Sequence, residues 1–344
     1  MWYRPKEPYE PWKILESEFP KDSYIESQLK FILKYAVLAP STFNVQPWLF
    51  SISKNKIIVR PDFNRTLRTS DKDNRLLYIS LGCAIKNLEI AAEYFGFSLK
   101  RKFVESMSIT IIELSFQKNG RKISKPLINA IKNRFTNRNP YKPRLLPKSL
   151  LEGIKQVGDR EGLSILILTD KIIKREITSL VEKGDLIMWN DKEFKEEHLG
   201  WVRHNLTTQH DGMPAYSVGI PLIASFFAEF AIKYLPYAKI QSRKNKFLLS
   251  TTPYFVFILS KNHDKETWVK VGECLEEIWL GATESGVSLA PLAQVHAIGN
   301  IHEETKEVLK TNLFPQFFFR LGYSTKRSYN SPRRKVEEVL IDGV

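Results

Sequence analysis

Cysteine is almost absent: the 344-residue chain has two, Cys83 and Cys274. Two isolated thiols exclude a disulfide-stapled framework, and each sits in an apolar, helix-periodic stretch where a packing role is expected rather than a nucleophile. Glycine is sparse too, at 16 residues, and no Gly-x-Gly-x-x-Gly, Gly-x-x-x-x-Gly-Lys or Gly-x-Ser-x-Gly occurs. A self-contained dinucleotide fold, a P-loop and an α/β-hydrolase are therefore disfavoured. Of six histidines, His198, His204 and His210 fall six apart, a spacing that shares no helix face, and no cysteine or carboxylate pattern joins them. No metal site is expected. The start, Met1-Trp2-Tyr3-Arg4-Pro5-Lys6-Glu7, lacks an apolar signal core, which points to the cytoplasm.

Acidic residues are in deficit, 38 against 52 Lys and Arg, leaving a formal charge of +14. That favours anionic partners such as phosphate-bearing cofactors, nucleic acid or acidic surfaces, without choosing among them. The basic residues are scattered (Lys100-Arg101-Lys102, Arg121-Lys122, Arg243-Lys244, Arg333-Arg334-Lys335), and no zinc-finger spacing or aromatic RNA-binding signature accompanies them. A lysine-rich solvated surface is expected, and no nucleic acid. A long uninterrupted apolar run is also missing. The nearest candidate, Ala215 to Ile232, is broken by Pro221 and Glu229 and is barely the length of a span, so a buried helix or a lid over a pocket is expected there rather than a membrane contact.

What the chain does have is a repeat. Residues 81–99 reappear without gaps as residues 271–289: Gly82 matches Gly272, Ala92 matches Ala282, and Gly96-x-Ser98-Leu99 matches Gly286-x-Ser288-Leu289. Both copies carry apolar residues at helical spacing and end on a glycine suited to the left-handed position that stops a helix. Two copies of one long core helix, in different surroundings, indicate two related halves of about 150–170 residues each, large enough for their own cores.

Along the chain, residues 24–38 read as an amphipathic helix ended by Pro40, followed by Ala39-Pro40-Ser41-Thr42-Phe43-Asn44-Val45-Gln46-Pro47-Trp48 and a hairpin, 49–53 and 57–60. The first repeated helix and a strand near 108–115 follow, turning at Lys118-Asn119-Gly120. Then come helices at about 126–135 and from about Pro147, a strand at 164–169, an unpaired insertion at 190–240, a strand at 253–260, the second repeated helix and a last strand at 317–323. This mixture predicts an α+β sandwich rather than a βαβ array.

Two motifs carry candidate chemistry. Loop 39–48 gathers Ser41, Thr42, Asn44 and free backbone donors after a proline-terminated helix, where a polar planar ring fits against the main chain; it reads equally as a helix-to-strand connector with a buried Trp. Arg134-x-Thr136-x-Arg138 presents two guanidinium groups and a hydroxyl to one anion if extended, or is a solvated basic stretch favoured by a helix end. Arg333-Arg334 either closes the same anion site or is an ordinary basic tail. Asp211-Gly212-Met213-Pro214 reads as a plain turn.

The loop closely resembles the Pro-Ser-Ser-x-Asn-x-Gln-Pro-Trp loop of the nitroreductase superfamily, Arg134-x-Thr136-x-Arg138 resembles its Arg-x-Ser-x-Arg/Lys clamp, and the repeated helix is similar to its long central helix. The resemblance covers nearly the whole chain. Family members are usually homodimers that bind flavin mononucleotide (FMN) at the interface, with the clamp from one subunit and the loop from the other. Here the first half has the loop but no clamp, Arg4 lacking a partner at the right spacing. The second half has the clamp, with Gln156-Val157-Gly158-Asp159 where the loop's copy is expected. The chain thus resembles the fused, twin-domain Acg-like branch, in which one chain imitates the dimer and holds one FMN. This implies a nitroreductase-like sandwich of two fused homologous halves forming a pseudo-dimer, residues 1–123 and 124–344, the second carrying a lid-like insertion at about 190–240.

By motif, the resemblance implies that Arg134, Thr136 and Arg138 hold the FMN phosphate and the ring's polar edge, with Pro40, Ser41, Thr42, Asn44 and Gln46 facing the flavin from the other half. Arg333 and Arg334 match the family's carboxy-terminal basic residues near the phosphate. Pro291 and Leu292, within Ala290–Gln294, lie where the family approaches the flavin N5 face, although the acidic residue common there is absent. The implied activity is ping-pong hydride transfer from NAD(P)H to a nitro, quinone or similar small-molecule acceptor, with no side chain required as catalytic acid or base. The alternative is an FMN-binding or sequestering protein whose lid keeps nicotinamide away. Either way the expected form is a monomeric pseudo-dimer or a weak homodimer.

Overall fold

The computed structural model describes residues 5–106, 109–120 and 125–342. The readings that fall on Met1–Arg4, Ser108, Arg121-Lys122 and the division at 123/124 lie outside the described residues. The first half begins with α1 (Ile25–Ala36), which buries Leu29, Ile32, Leu33 and Ala36 along one face. Strands β1 (Trp48–Ser53) and β2 (Lys56–Pro61) form the expected hairpin, turning on Lys54 at φ 54°. Helix α2 (Arg75–Tyr94) holds the first repeat, and Gly96 at φ 85° reverses the chain into β3 (Phe97–Ser106), which pairs along its length with β4 (Ile109–Lys118). The sheet order is β1-β2-β4-β3, all antiparallel.

The second half comprises α3 (Lys125–Asn133), α4 (Lys148–Arg160), β5 (Ser164–Leu168), α5 (Lys171–Asn190), α6 (Lys192–Gly200), α7 (Tyr237–Ser250), β6 (Tyr254–Ser260), α8 (Lys265–Glu284), β7 (Ser288–Pro291), α9 (Gly299–Leu309) and β8 (Phe314–Gly322). Its sheet order is β5-β6-β8-β7. With α4, β5, β6, α8, β7 and β8 taken in turn against α1, β1, β2, α2, β3 and β4, the order is that of the first half. The molecule is thus an α+β sandwich of two fused, homologous halves. Where the first half crosses between its hairpin strands on Lys54 and Asn55, the second runs from Thr169 to Pro253. The insertion is therefore longer than 190–240, because α5 and most of α7 belong to it. Gln156–Asp159 lies inside α4, so the counterpart of loop 39–48 is the short turn Glu161–Leu163 instead.

The halves meet along α2 and α8. A Cβ on Gly82 would lie 2.0 Å from the Val269 carbonyl oxygen, and one on Gly272 would lie 1.9 Å from that of Ile79. The matched glycines of the repeat are thus the point of backbone contact between its two copies, an approach that any side chain would block. The Cys83 thiol donates to the Gly272 carbonyl at 3.2 Å, and both cysteines are buried and free. One core surrounds this helix pair and draws on both halves, including Leu81, Ile85, Leu275 and Ile278. A second core fills the other face of the second sheet beneath α5 and α9, with Ile177, Val181, Phe257 and Phe318. The sequence shows this difference: β6 is apolar up to its terminal Ser260 and buried at every residue, whereas β4 alternates. After β8 the chain returns to the first half, where Phe50 N donates to Val339 O and Ile341 N to Phe50 O, each at 2.8 Å.

Candidate functional site

The loop after α1 is held in an uncommon backbone conformation. Phe43, Asn44 and Gln46 have φ of 51°, 57° and 52°, which for non-glycine residues costs of order 1–3 kcal/mol each unless surrounding contacts impose it. Those contacts are present. Ser41 Oγ accepts from Gln46 N at 2.8 Å, Asn44 Nδ2 donates to Gly212 O and Pro332 O, each at 3.0 Å, and Asn44 Oδ1 accepts from Arg333 Nη1 at 2.8 Å. Gln46 Nε2 donates to His210 O, and its Oε1 accepts from Arg334 N, both at 2.8 Å. The loop is gripped by the insertion on one side and the carboxy-terminal tail on the other.

Between the halves lies a cavity of about 260 Å³. Its base is Ile79, Ser80 and Cys83 of α2 with Leu275 and Trp279 of α8, and Pro40, Ser41, Thr42, Pro291 and Leu292 add to its wall. A smaller cavity of about 50 Å³ shares Pro40, Ser41, Thr136 and Arg138 with it, and is otherwise bordered by Asn44, Arg134, Ser331 and Arg333. Arg134 is 2% exposed, with Nε 3.1 Å from Glu276 Oε1, Nη2 donating to Leu38 O at 2.7 Å and its guanidinium over the Trp279 ring. Arg333 Nη2 donates to the same carbonyl at 3.2 Å. Burial, with the Arg134 charge adding, pushes Arg333 down to about 9, and burial pushes Glu276 up against the pull of Arg134.

Two residues named by motif face elsewhere. Arg334 lines neither cavity: its guanidinium lies 3.5 Å from Asp62 and donates to Gln46 O and Glu338 O, because consecutive side chains of this non-helical tail point apart. Gln46 lines neither cavity either; it is buried, with its amide spent on the insertion and the tail. Asn44 reaches only the smaller cavity, where it positions Arg333.

The insertion roofs the larger cavity. Trp189, Phe194, His198 and Tyr237 form an aromatic cluster, with Phe43 4.8 Å from the His198 ring. Ala215–Ile232 is not one helix. Gly219 at φ 84° and Pro221 break it into a 3-10 turn, Ala215–Val218, and helices Leu222–Ser225 and Ala228–Tyr234. Ala215, Ala228 and Ile232 face the cavity, while Ile223, Phe226, Phe227 and Phe230 are exposed. Asp211–Pro214, a plain turn by sequence, docks the roof: Gly212 N donates to Asn44 O at 3.3 Å, and Asp211 pairs with Arg65 and, at 2.9 Å, with Arg203.

Among the described residues, no carboxylate lines the larger cavity, but Arg138, Lys244 and Arg320 do. Among the described residues, none of these cations has a carboxylate within 4.0 Å. Arg138 Nη1 reaches Ser217 O at 3.4 Å, and Lys244 Nζ donates to Val218 O at 2.7 Å. Arg320, 1% exposed, lies over the Tyr141 ring and donates to Leu248 O at 3.3 Å. Burial and neighbouring charge push Arg138 down to about 10 and Lys244 to about 8. His198 is pushed to about 4 by burial and Arg138, and His296 well below its usual value, so both imidazoles are neutral. Burial raises the Cys83 thiol. The wall offers positive charge, hydroxyls, a buried thiol, neutral imidazoles and apolar surface. Sequence reasoning missed Lys244 and Arg320, although a lone arginine within Phe317-Phe318-Phe319-Arg320-Leu321 is a signal for a cation placed deliberately.

Compared with known proteins, the chain matches no family model. It is 20% identical over 335 residues, 92% of this chain and 93% of the relative, to the "Probable NAD(P)H nitroreductase PigM" of Serratia sp.. It is 22% identical over 329 residues, 91% of this chain and 90% of the relative, to a "Putative NAD(P)H nitroreductase" of Mycobacterium tuberculosis. Among solved structures, the FMN- and NADPH-dependent nitroreductase NfnB of a Sphingopyxis strain aligns at a TM-score of 0.42 and 15% identity, covering 63% of this chain and 97% of NfnB. Similarity to two relatives named NAD(P)H nitroreductase extends over nine-tenths of the chain, and the duplicated helix and the Pro40–Trp48 loop at the meeting of the two halves agree with the resemblance to the nitroreductase superfamily.

Proposed function

We propose that the chain is an FMN-dependent NAD(P)H oxidoreductase of the nitroreductase type, with one flavin site per chain between halves that divide near 123/124. The observation that carries this reading is a pair of adjoining cavities between the halves, the smaller bordered by Arg134 and Arg333 and the larger walled mostly by apolar side chains. An FMN requires a pole for its phosphate, a flat apolar bed for its ring and polar donors along one edge. The residues fit. Arg333 Nε is buried without a hydrogen-bond partner, and with Arg134, Thr136 and Ser331 it borders the smaller cavity, suited to a phosphate. Pro40, Pro291, Leu292 and Trp279 supply apolar surface, and Ser41, Thr42 and Arg138 supply donors. When bound, FMN supplies the hydride chemistry. The chain binds, orients and excludes water: Asn44 fixes Arg333, Glu276 fixes Arg134, and the roof from the insertion closes the cavity from above. The names of the two relatives support NAD(P)H as donor and a nitro compound as acceptor.

The roof also favours a second reading, flavin sequestration with little turnover, because its aromatic cluster occupies space that a stacking nicotinamide would need. An anaerobic absorbance spectrum before and after NADPH addition separates the two. The oxidoreductase reading expects the bound-flavin band to bleach within seconds. A band that persists would leave sequestration, and a protein that shows no flavin band after reconstitution with FMN would overturn the site.

A further inference from the structure

The chain carries more positive charge at this site than one phosphate requires, and the charge is divided in space. Arg134 and Arg333 border only the smaller cavity, and Glu276 sits against Arg134. Lys244 and Arg320 border only the larger cavity, and Arg138 faces both. The second group has no carboxylate at ion-pair distance among the described residues, and it is built from separate elements: Arg138 after α3, Lys244 on α7 and Arg320 on β8. Each is held by a carbonyl rather than an anion, through Ser217 O, Val218 O and Leu248 O. Three cations gathered at one wall without a counter-charge repel one another and cost stability in the empty protein, an arrangement that a bound anion relieves. Their neighbours on the same cavity are rings: Tyr237, on the same face of α7 as Lys244 and about two turns away, with Trp189, Phe194 and His198 beyond it.

We propose that Lys244 and Arg320, backed by Arg138, form a second anion subsite that takes the oxyanion of the molecule exchanging electrons with the flavin, and that its natural occupant is a planar aromatic acid. This rests on the oxidoreductase reading and deepens it. The negative group anchors on Lys244 and Arg320, while the ring lies among the aromatic side chains of the roof. A phosphate of the dinucleotide presents the same oxyanion chemistry, so the test separates the two sources.

The experiment is titration calorimetry on the flavin-loaded protein with 4-nitrobenzoate, its neutral analogue 4-nitrobenzamide, and adenosine 2′,5′-bisphosphate. The expected result is that the benzoate binds roughly tenfold tighter than the amide, as one charge-assisted contact supplies. Lys244→Met should abolish that ratio without changing FMN affinity, and Lys244→Arg should restore it. A pH profile checks the residue. Burial and the Arg138 and Arg320 charges push Lys244 down to about 8, so in the wild type the benzoate preference falls as pH rises from 7 to 9. It stays flat in Lys244→Arg. The other titratable groups on and behind this cavity lie outside that window: His198 at about 4, His296 well below its usual value, Asp185 behind Asn245 at about 6, Tyr141 at about 12, and Cys83 and Tyr237 above their usual values.

Equal affinity for benzoate and amide in a protein that binds FMN would overturn the subsite while leaving the flavin reading intact. Loss of FMN from Lys244→Met would reassign the lysine to the flavin phosphate and likewise overturn it. A preference seen for the bisphosphate alone, with the same Lys244 dependence, would overturn the aromatic acid as occupant and assign the subsite to the dinucleotide.

Discussion

At the scale of single residues, the two arginines of the proposed clamp differ in what they hold. Arg134 is the counter-charge of Glu276, a carboxylate with no solvent exposure, whereas Arg138 faces open cavity. Arg134→Met should therefore cost about 3–5 kcal/mol of stability, because it leaves a buried charge unpaired, and adding Glu276→Gln should recover most of the loss. Arg138→Met removes a repulsion, so it should fold at least as well as the wild type yet bind FMN about tenfold more weakly. Urea unfolding and a flavin titration on these variants check both statements; a well-folded Arg134→Met protein would mean that Glu276 is not charged. The sequence motifs single out Pro40, Ser41, Thr42, Thr136 and Arg138, all of which line the cavity. Gln46 and Arg334 belong to the same motifs and face away, because a motif specifies residue type and spacing and leaves side-chain direction to the tertiary contacts. Lys244 was hidden in Gln241-Ser242-Arg243-Lys244-Asn245-Lys246, where a solvated surface and a cavity wall look alike.

At the scale of elements, the crossing of α2 and α8 is the contact on which the site rests, since both helices form its base. The glycines there meet backbone atoms rather than flexible side chains. Gly82→Ala or Gly272→Ala should destabilise by about 3 kcal/mol or more, by forcing the helices apart. Gly281→Ala on the same α8, where an added Cβ meets nothing, should be close to neutral or stabilising. Thermal unfolding of the three variants checks the contrast; tolerance at Gly82 would show that the helices can separate. The helices themselves were legible through apolar periodicity and terminal glycines. Strand β3 was not, because Lys100, Arg101 and Lys102 interrupt its alternation, and Arg101 is there to pair with the buried Glu273 of α8. Helix α5 was missed as well: it starts on an Asp170 cap, but its exposed Ile172, Leu186 and Ile187 blur the apolar stripe.

For the whole molecule, duplication followed by divergence accounts for the one flavin site proposed per chain. Both halves keep the same strand order, but only the first has a long connection after its opening helix, and only the second expands its hairpin turn into a roof. The repeat was visible in sequence because the core helices meet each other and stay alike. The shared sheet topology was not, because the surrounding strands kept their pattern and lost their residues. The loop, the clamp and the tail each come from a different part of the chain and converge on the Leu38 carbonyl and Asn44. The pseudo-symmetric position offers only the turn Glu161–Leu163 in place of the loop. The measurement that tests this directly is the stoichiometry of FMN on the purified chain, from flavin absorbance against protein concentration at saturation. One flavin per chain is the predicted result; two would mean that the halves kept both sites, and none would contradict the account.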